Sequence, residues 1–238
     1  MKRKIVAWIK KEVKSAKAKG IVLGLSGGLD SAVAAGLSCQ AIGRGNVLAL
    51  ILPCNSIAED LKDAKLVVKA LKLKAKNIGL TKVYELFIKL LPPANILTKA
   101  NLKPRLRMAA LYYFANKLNY LVCGTSNKTE ASIGYFTKFG DGGADILPLA
   151  GLLKYQVRDL ARELNIPKKI ISKAPSAGLW RGQTDEAELG LIYNELDDIL
   201  MRLEKGLKQS APLNKVNKVK RLILQSAHKR GNAAICRI

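Results

Sequence analysis

Residues 21–31 read Ile-Val-Leu-Gly-Leu-Ser-Gly-Gly-Leu-Asp-Ser: an apolar run, a glycine turn and the start of a small-residue helix. Ile21, Val22, Leu23 and Leu25 form the continuous hydrophobic run of a short strand covered on both faces. Gly27 and Gly28 let the backbone turn tightly and come close to a ligand. Ser31 then leads a helix containing Ala32, Val33, Ala34, Ala35 and Leu37. The N–H groups at a helix start lack intrahelical partners and point outward, which suits a phosphate. A Walker A loop would carry a Lys-Ser/Thr pair after the glycines, and Asp30 stands here instead. A carboxylate beside a phosphate repels it unless a cation lies between, so Asp30 implies Mg²⁺.

Composition sets the outer limits. The chain has 238 residues, 49% of them hydrophobic, enough for a sizeable core, and one α/β domain over residues 1–238 is the simplest expectation. No apolar run approaches the ~20 residues of a membrane span. The basic start, Met1-Lys-Arg-Lys, has a signal-like charge, but residues 5–9 are too short an apolar region for export. Cys39, Cys54, Cys123 and Cys236 show no CxxC spacing and read as reduced thiols of a cytoplasmic protein. The formal charge of +23 draws anions. The lysines are scattered and mostly lack neighbouring aromatics, which argues for solvated helix faces and against a nucleic-acid interface.

Outward from the opening stretch, apolar runs alternate with helical periodicities. Residues 2–18 form an amphipathic helix ended by Gly20. A second strand covers 47–52. Ser56-Ile-Ala-Glu59 has the form of a capping box opening a helix, and 77–80 is a weak third strand. A helix starts at Thr81 and stops at Pro92-Pro93, with Val83, Leu86, Phe87 and Leu90 on one face. Residues 97–118 form a long helix that Pro104 kinks or begins. Residues 121–124 are the next strand, 146–149 a short last one, and helices at 154–164, 185–204 and 212–229 follow. The alternation predicts a doubly wound parallel sheet of about five strands with helices on both faces. Ligands in such sheets sit at the carboxyl ends of the strands, near the switch in strand order.

Two further stretches carry chemistry. Residues 124–130, Gly-Thr-Ser-Asn-Lys-Thr-Glu, put a hydroxyl and an acid at a strand end, so Glu130 could share a metal with Asp30; the same string also reads as a polar turn with a helix cap. Residues 134–145, Gly-Tyr-Phe-Thr-Lys-Phe-Gly-Asp-Gly-Gly-Ala-Asp, offer Tyr135, Phe136 and Phe139 for stacking, Lys138 as a cation and Asp141 and Asp145 as acceptors. An Ω-loop with its aromatics tucked inward is the structural alternative.

The Ser26-Gly-Gly-Leu-Asp-Ser31 string resembles the pyrophosphate loop of the N-type ATP pyrophosphatases. Together with residues 103–108, 124–130, 134–149, 153–158, 175–180, 183–186 and 228–229 in that order, it resembles ammonia-dependent NAD synthetase over about residues 20–230. That family joins deamido-NAD⁺, ATP and ammonia to give NAD⁺, AMP and pyrophosphate. The resemblance implies that Gly24, Leu25, Ser26, Gly27, Gly28, Leu29, Asp30 and Ser31 hold the ATP phosphates, with Thr125, Lys154 and Ser176 also on ATP. It places Mg²⁺ on Asp30 and Glu130, the dinucleotide on Arg105, Lys138, Asp145, His228 and Lys229, and the incoming ammonia near Ser26 and Asp141. It also implies a homodimer. Pro104 and the tail after Arg230 depart from the family pattern, and no glutamine-hydrolysing domain is expected. A tRNA-modifying pyrophosphatase and a degenerate nucleotide-binding module are the alternatives; the intact Asp30 and Glu130 weigh against the second.

Overall fold

The structure, a computed structural model, describes residues 1–176, 178–180, 182–233, 235 and 236. Ala177 of the 175–180 motif, and Ala234, Arg237 and Ile238 of the divergent tail, lie outside the described residues.

The chain begins with helix α1 (Lys2–Ser15), which buries Ile9 and Val13 against α2. Lys17 in the left-handed region closes α1, with Ala18 N–H donating to Val13 O at 3.1 Å. Gly20 is therefore not a helix stop. It opens strand β1 (Gly20–Gly24), where a Cβ would stand 2.5 Å from the Tyr120 ring. The glycine turn leads into α2 (Leu29–Ile42), whose small residues are buried almost all round, as expected of a helix in the middle of the core. Strand β2 (Val47–Ile51) and helix α3 (Ala58–Leu71) follow. The capping box at 56–59 does not form. Ile57 occupies the cap position, and Ser56 Oγ instead accepts from Cys54 N–H at 3.2 Å and Arg107 Nη2 at 3.3 Å.

Strand β3 (Lys74–Asn77) lies ahead of the expected 77–80. It is an exposed, lysine-bearing sheet edge with no apolar pattern, whereas Ile78 and Leu80 pack under α4 (Thr81–Leu90) after the strand has ended. The long helix expected over 97–118 is two: α5 (Ile96–Ala100), capped by Asn95, and α6 (Leu102–Leu118). Pro104 sits in the first turn of α6, where its missing N–H costs no hydrogen bond. Strand β4 (Tyr120–Val122) and helix α7 (Lys128–Ile133) come next. Residues 146–149 contribute only a bridge between Cys123 and Ile146. Helices α8 (Lys154–Glu163), α9 (Lys168–Ile171), α10 (Asp185–Leu189), α11 (Tyr193–Glu204), α12 (Leu213–Gln225) and α13 (Ala227–Arg230) complete the order.

Among the described residues the sheet has four strands in the order β3-β2-β1-β4, all parallel. Alternate side chains of β1 face opposite layers, Ile21 and Leu23 toward α1, α2, α3 and α8, Val22 toward α4 and α6. Each such fully buried residue is worth roughly 1.5–3 kcal/mol, and a one-residue slip would exchange the two sets. A third apolar cluster joins α7, α10, α11 and α12. After β1 the chain adds β2 and β3 on one side, then returns to place β4 on the other. The crevice of such a fold opens at that switch, beyond the ends of β1 and β4.

Candidate active site

The glycine turn lies at that crevice. Gly27 has φ +81°, and a Cβ there would stand 2.5 Å from Asp60 O and 2.9 Å from Ala64 N, so the loop passes against α3 with no room for a side chain. Ser31 Oγ donates to Gly28 O at 3.0 Å and lies 3.1 Å from Ser26 Oγ, which accepts from Gly28 N–H at 3.2 Å. The hydroxyls hold the loop closed around the start of α2. Asp30 falls in the first turn of α2, where the helix dipole favours an anion.

Asn127 brings the second acid to the first. Its Oδ1 accepts from Glu130 N–H at 3.0 Å, Glu130 Oε2 accepts from Asn127 N–H at 3.3 Å, and Asn127 Nδ2 donates to Asp30 Oδ1 at 3.1 Å. The Glu130 carboxylate that closes the capping box of α7 on Asn127 is thus the one the sequence suggests as a metal ligand. Asp197 of α11 accepts from Thr129 Oγ1 at 2.5 Å and from Tyr155 N–H at 3.1 Å, which ties the start of α8 to α7 and aims Lys154 at the acids. Lys154 Nζ hydrogen-bonds Asp30 Oδ2 and, at 3.2 Å, Glu130 Oε1. Tyr193 O–H donates to Asp185 Oδ2 at 2.9 Å, and its oxygen is 3.4 Å from Glu130 Oε1.

The electrostatics follow from this burial. Removal from water pushes the Glu130 carboxyl up to about 7; Lys154 pulls it down, while the negative charges of Asp30 and Asp185 add to the rise. Burial alone would lower the Lys154 pKa, but the two carboxylates hold it above its ordinary range, so it is a cation at neutral pH. Two carboxylates suit a hard divalent cation completed by phosphate oxygens. Among the described residues no group of three or more His, Cys, Asp or Glu side chains forms a metal cage.

Ser26, Ser31, Asp30, Thr125, Glu130, Lys154, Ser176, Asp141 and Lys229 line one cleft of about 760 Å³, with Gly24, Leu25, Gly28 and Leu29. Ser176 Oγ donates to Gln183 O at 2.7 Å and accepts from Gly178 N–H at 3.1 Å, folding its loop over the cleft. Asp141 is crowded by protein atoms yet open to the cleft. That crowding raises its pKa against the pull of the Thr137 N–H, 2.9 Å away, and of the Arg107 and Lys229 charges. Lys229 Nζ is tethered to Gly134 O at 2.9 Å and Phe136 O at 3.1 Å.

Arg105, Lys138 and His228 form a chain outside the cleft lining. Arg105 Nη2 donates to Lys138 O at 3.4 Å and Lys138 Nζ to His228 O at 2.5 Å. Asp145 lies apart from them, its Oδ2 accepting from Val122 N–H at 2.7 Å and its Oδ1 from Tyr112 O–H at 3.0 Å. Sequence reasoning passed over Asn127, Tyr193, Asp185 and Arg107. Arg107 reaches the cleft from α6 and donates to Leu52 O at 3.1 Å; a charged residue within the apolar stretch 106–114 was its available signal.

A family model described as NAD synthase matches residues 1–233. The chain is 47% identical over 232 residues to an NH(3)-dependent NAD(+) synthetase of Carboxydothermus hydrogenoformans, covering 95% of this chain and 93% of that one. It is 43% identical over 237 residues to one of Archaeoglobus fulgidus, covering 99% and 95%. Among solved structures it is similar to an NMN synthetase of Francisella tularensis, with TM-score 0.92, 40% identity and coverage of 100% and 97%. An NH3-dependent NAD synthetase of Campylobacter jejuni gives TM-score 0.86, 30% identity and coverage of 99% and 97%. With its glycine loop, its paired acids and a match along nearly its whole length, the chain belongs to the NAD synthase family.

Proposed function

We propose that this protein is an ammonia-dependent ligase that amidates deamido-NAD⁺ to NAD⁺, with ATP cleaved to AMP and pyrophosphate. The observation that carries the reading is the meeting of the glycine loop, Asp30, Glu130 and Lys154 in one cleft at the switch of the sheet. A nicotinate carboxylate is a poor acyl donor, so it is first activated. Its oxygen attacks the α-phosphorus of ATP and pyrophosphate leaves. The start of α2 at residues 29–31, whose N–H groups have no intrahelical acceptor, and Lys154 neutralise the phosphate charge, with the rest of the 24–31 loop, Thr125 and Ser176 on the nucleotide. Asp30 and Glu130 would hold Mg²⁺, which when bound supplies positive charge against the phosphate oxygens. Ammonia then attacks the acyl carbonyl and AMP leaves. Asp141 attracts ammonium and takes its proton beside Ser26, a role that suits a carboxyl whose pKa is raised.

Arg105, Lys138, Asp145, His228 and Lys229 hold the dinucleotide. All but Lys229 lie beyond the cleft lining, as suits a long substrate whose far end leaves the cleft and meets a partner subunit. The homodimer is part of this reading, and α4 and α5 leave Leu86, Phe87, Leu90 and Ile96 exposed for it. So are a single domain over residues 1–238 and a cytoplasmic setting. All four cysteines are unpaired, and among the described residues no helix is long and apolar enough to cross a membrane.

The test is direct. Protein, deamido-NAD⁺, ATP, Mg²⁺ and ammonium should yield NAD⁺, AMP and pyrophosphate, and well-folded protein that yields none rules the activity out. Asp141→Asn should lose turnover most at low ammonium; full turnover there removes Asp141 from the proton step. The likeness to the Francisella tularensis NMN synthetase favours a second substrate, the mononucleotide carboxylate. Comparing kcat/KM for the two acids in the same assay decides between them.

A further inference from the structure

The Asp30–Glu130 pair already holds a cation that belongs to the chain. The Lys154 side chain is 3% exposed, its ammonium bonded to Asp30 Oδ2, 3.2 Å from Glu130 Oε1 and 5.0 Å from the centre of the Tyr193 ring. The two remaining carboxylate oxygens accept from Asn127, through Nδ2 on Asp30 and through the backbone N–H on Glu130. Two carboxylates this close, each only partly reached by water, repel unless a cation lies between them. Lys154 therefore does for the pair what a metal would do.

A divalent cation on these oxygens cannot coexist with the ammonium in its present place, because like charges would lie within contact and Mg²⁺ demands a tight octahedral shell. Lys154 is also the first residue of α8, where the helix dipole disfavours a cation. The carboxylates and the tyrosine face are what keep it there. From this geometry we infer that Lys154 is a resident counter-cation, which holds Asp30 and Glu130 together before metal arrives and is displaced into the cleft when a divalent cation takes the pair. With both carboxylates ionised, one ammonium leaves the group with one net negative charge, and an added dication leaves it with one net positive charge. Metal entry would thus both free an ammonium for a phosphate and reverse the sign of the field that a triphosphate meets. The inference rests on reading the pair as the metal site of the proposed ligase.

Nucleotide-free protein tests it, with Mn²⁺ as the probe and free Mn²⁺ read by electron paramagnetic resonance. Lys154→Met should bind Mn²⁺ more tightly than the unmodified chain by about tenfold or more, a coupling of ordinary size, and adding Asp30→Asn should abolish that site. Affinity in Lys154→Met equal to or weaker than that of the unmodified chain overturns the inference, as does no binding in either. If Lys154→Met does not fold, the unmodified chain decides alone: the ¹⁵Nζ resonance of Lys154 should shift as Mg²⁺ saturates the protein, and an unmoved resonance at saturation overturns the exchange. NAD⁺ formation is measured separately. Cation exchange without NAD⁺ formation would remove the ligase reading and leave the exchange standing. NAD⁺ formation with Lys154 unmoved would do the reverse.

Discussion

Gly27 and Gly28 adjoin in the sequence but answer to different constraints. Gly27 combines φ +81° with a backbone oxygen 2.5 Å from any Cβ, whereas a Cβ on Gly28 would meet only the Ser26 hydroxyl at 3.2 Å. Gly27→Ala should therefore cost about 1–3 kcal/mol, read as a lowered thermal midpoint, and should slow pyrophosphate release; Gly28→Ala should leave the midpoint nearly unchanged. Asp145 is a second residue with a definite expectation. Removing its carboxylate strands the Val122 N–H at the end of β4, so Asp145→Ala should lose about 1–3 kcal/mol in chemical denaturation with or without substrate. An unchanged stability with a raised KM would mean that substrate contact is its whole role. Asp30 was legible in the sequence because a carboxylate after a glycine turn is chemically conspicuous. The strand-end role of Asp145 was not, since its partners Tyr112 and Val122 lie 33 and 23 residues away.

Among the elements, α9 and the segment that follows it are fastened to α3 by ion pairs. Lys173 Nζ reaches Asp60 Oδ1 at 2.8 Å and Asp63 Oδ2 at 2.6 Å, while Lys169 lies 2.8 Å from Asp63 Oδ1 and also pairs with Glu59. Burial of Asp63 would raise its pKa, but hydrogen bonds to the two ammonium groups bring it below the ordinary value. A carboxyl with a depressed folded-state pKa contributes stability above the unfolded value, about 3.9, and loses it as pH falls through the folded one. Asp63→Asn should thus be destabilised by about 1.5–3 kcal/mol at neutral pH. The gap to the unmodified chain should narrow near about pH 3, in thermal unfolding at the two pH values; a gap that does not narrow would dissociate Asp63 from the acid response. β3 is recognised by its pairing with β2, and an exposed edge of Lys74, Ala75, Lys76 and Asn77 carries no hydrophobic alternation to announce it.

For the whole molecule, the helical faces that the sequence marked as amphipathic divide into two kinds. The apolar stripe of α1 is buried against α2, whereas Leu86, Phe87 and Leu90 of α4 are 63%, 43% and 73% exposed, and Ile96 of the short α5 is 66% exposed. Monomeric proteins rarely leave large contiguous apolar patches in water. Light scattering should give twice the chain mass for the unmodified protein, and Leu86→Asp/Leu90→Asp should give a folded monomer with weakened use of the dinucleotide. A chain monomeric at micromolar concentration would end the dimer reading.

The sequence alone determined the parallel α/β layering, the glycine loop and the presence of Asp30 at its end, because these rest on local periodicity and on backbone freedom, both written within a few adjacent residues. Only the tertiary structure decided that Asn127 ties the two acids together, that Tyr193 and Asp185 stand behind them, and that Lys154 bridges Asp30 and Glu130. Lys154 is 124 residues from the first acid and 24 from the second. A pairing of buried polar side chains leaves no period in the chain; it exists where the fold removes water and brings the charges together.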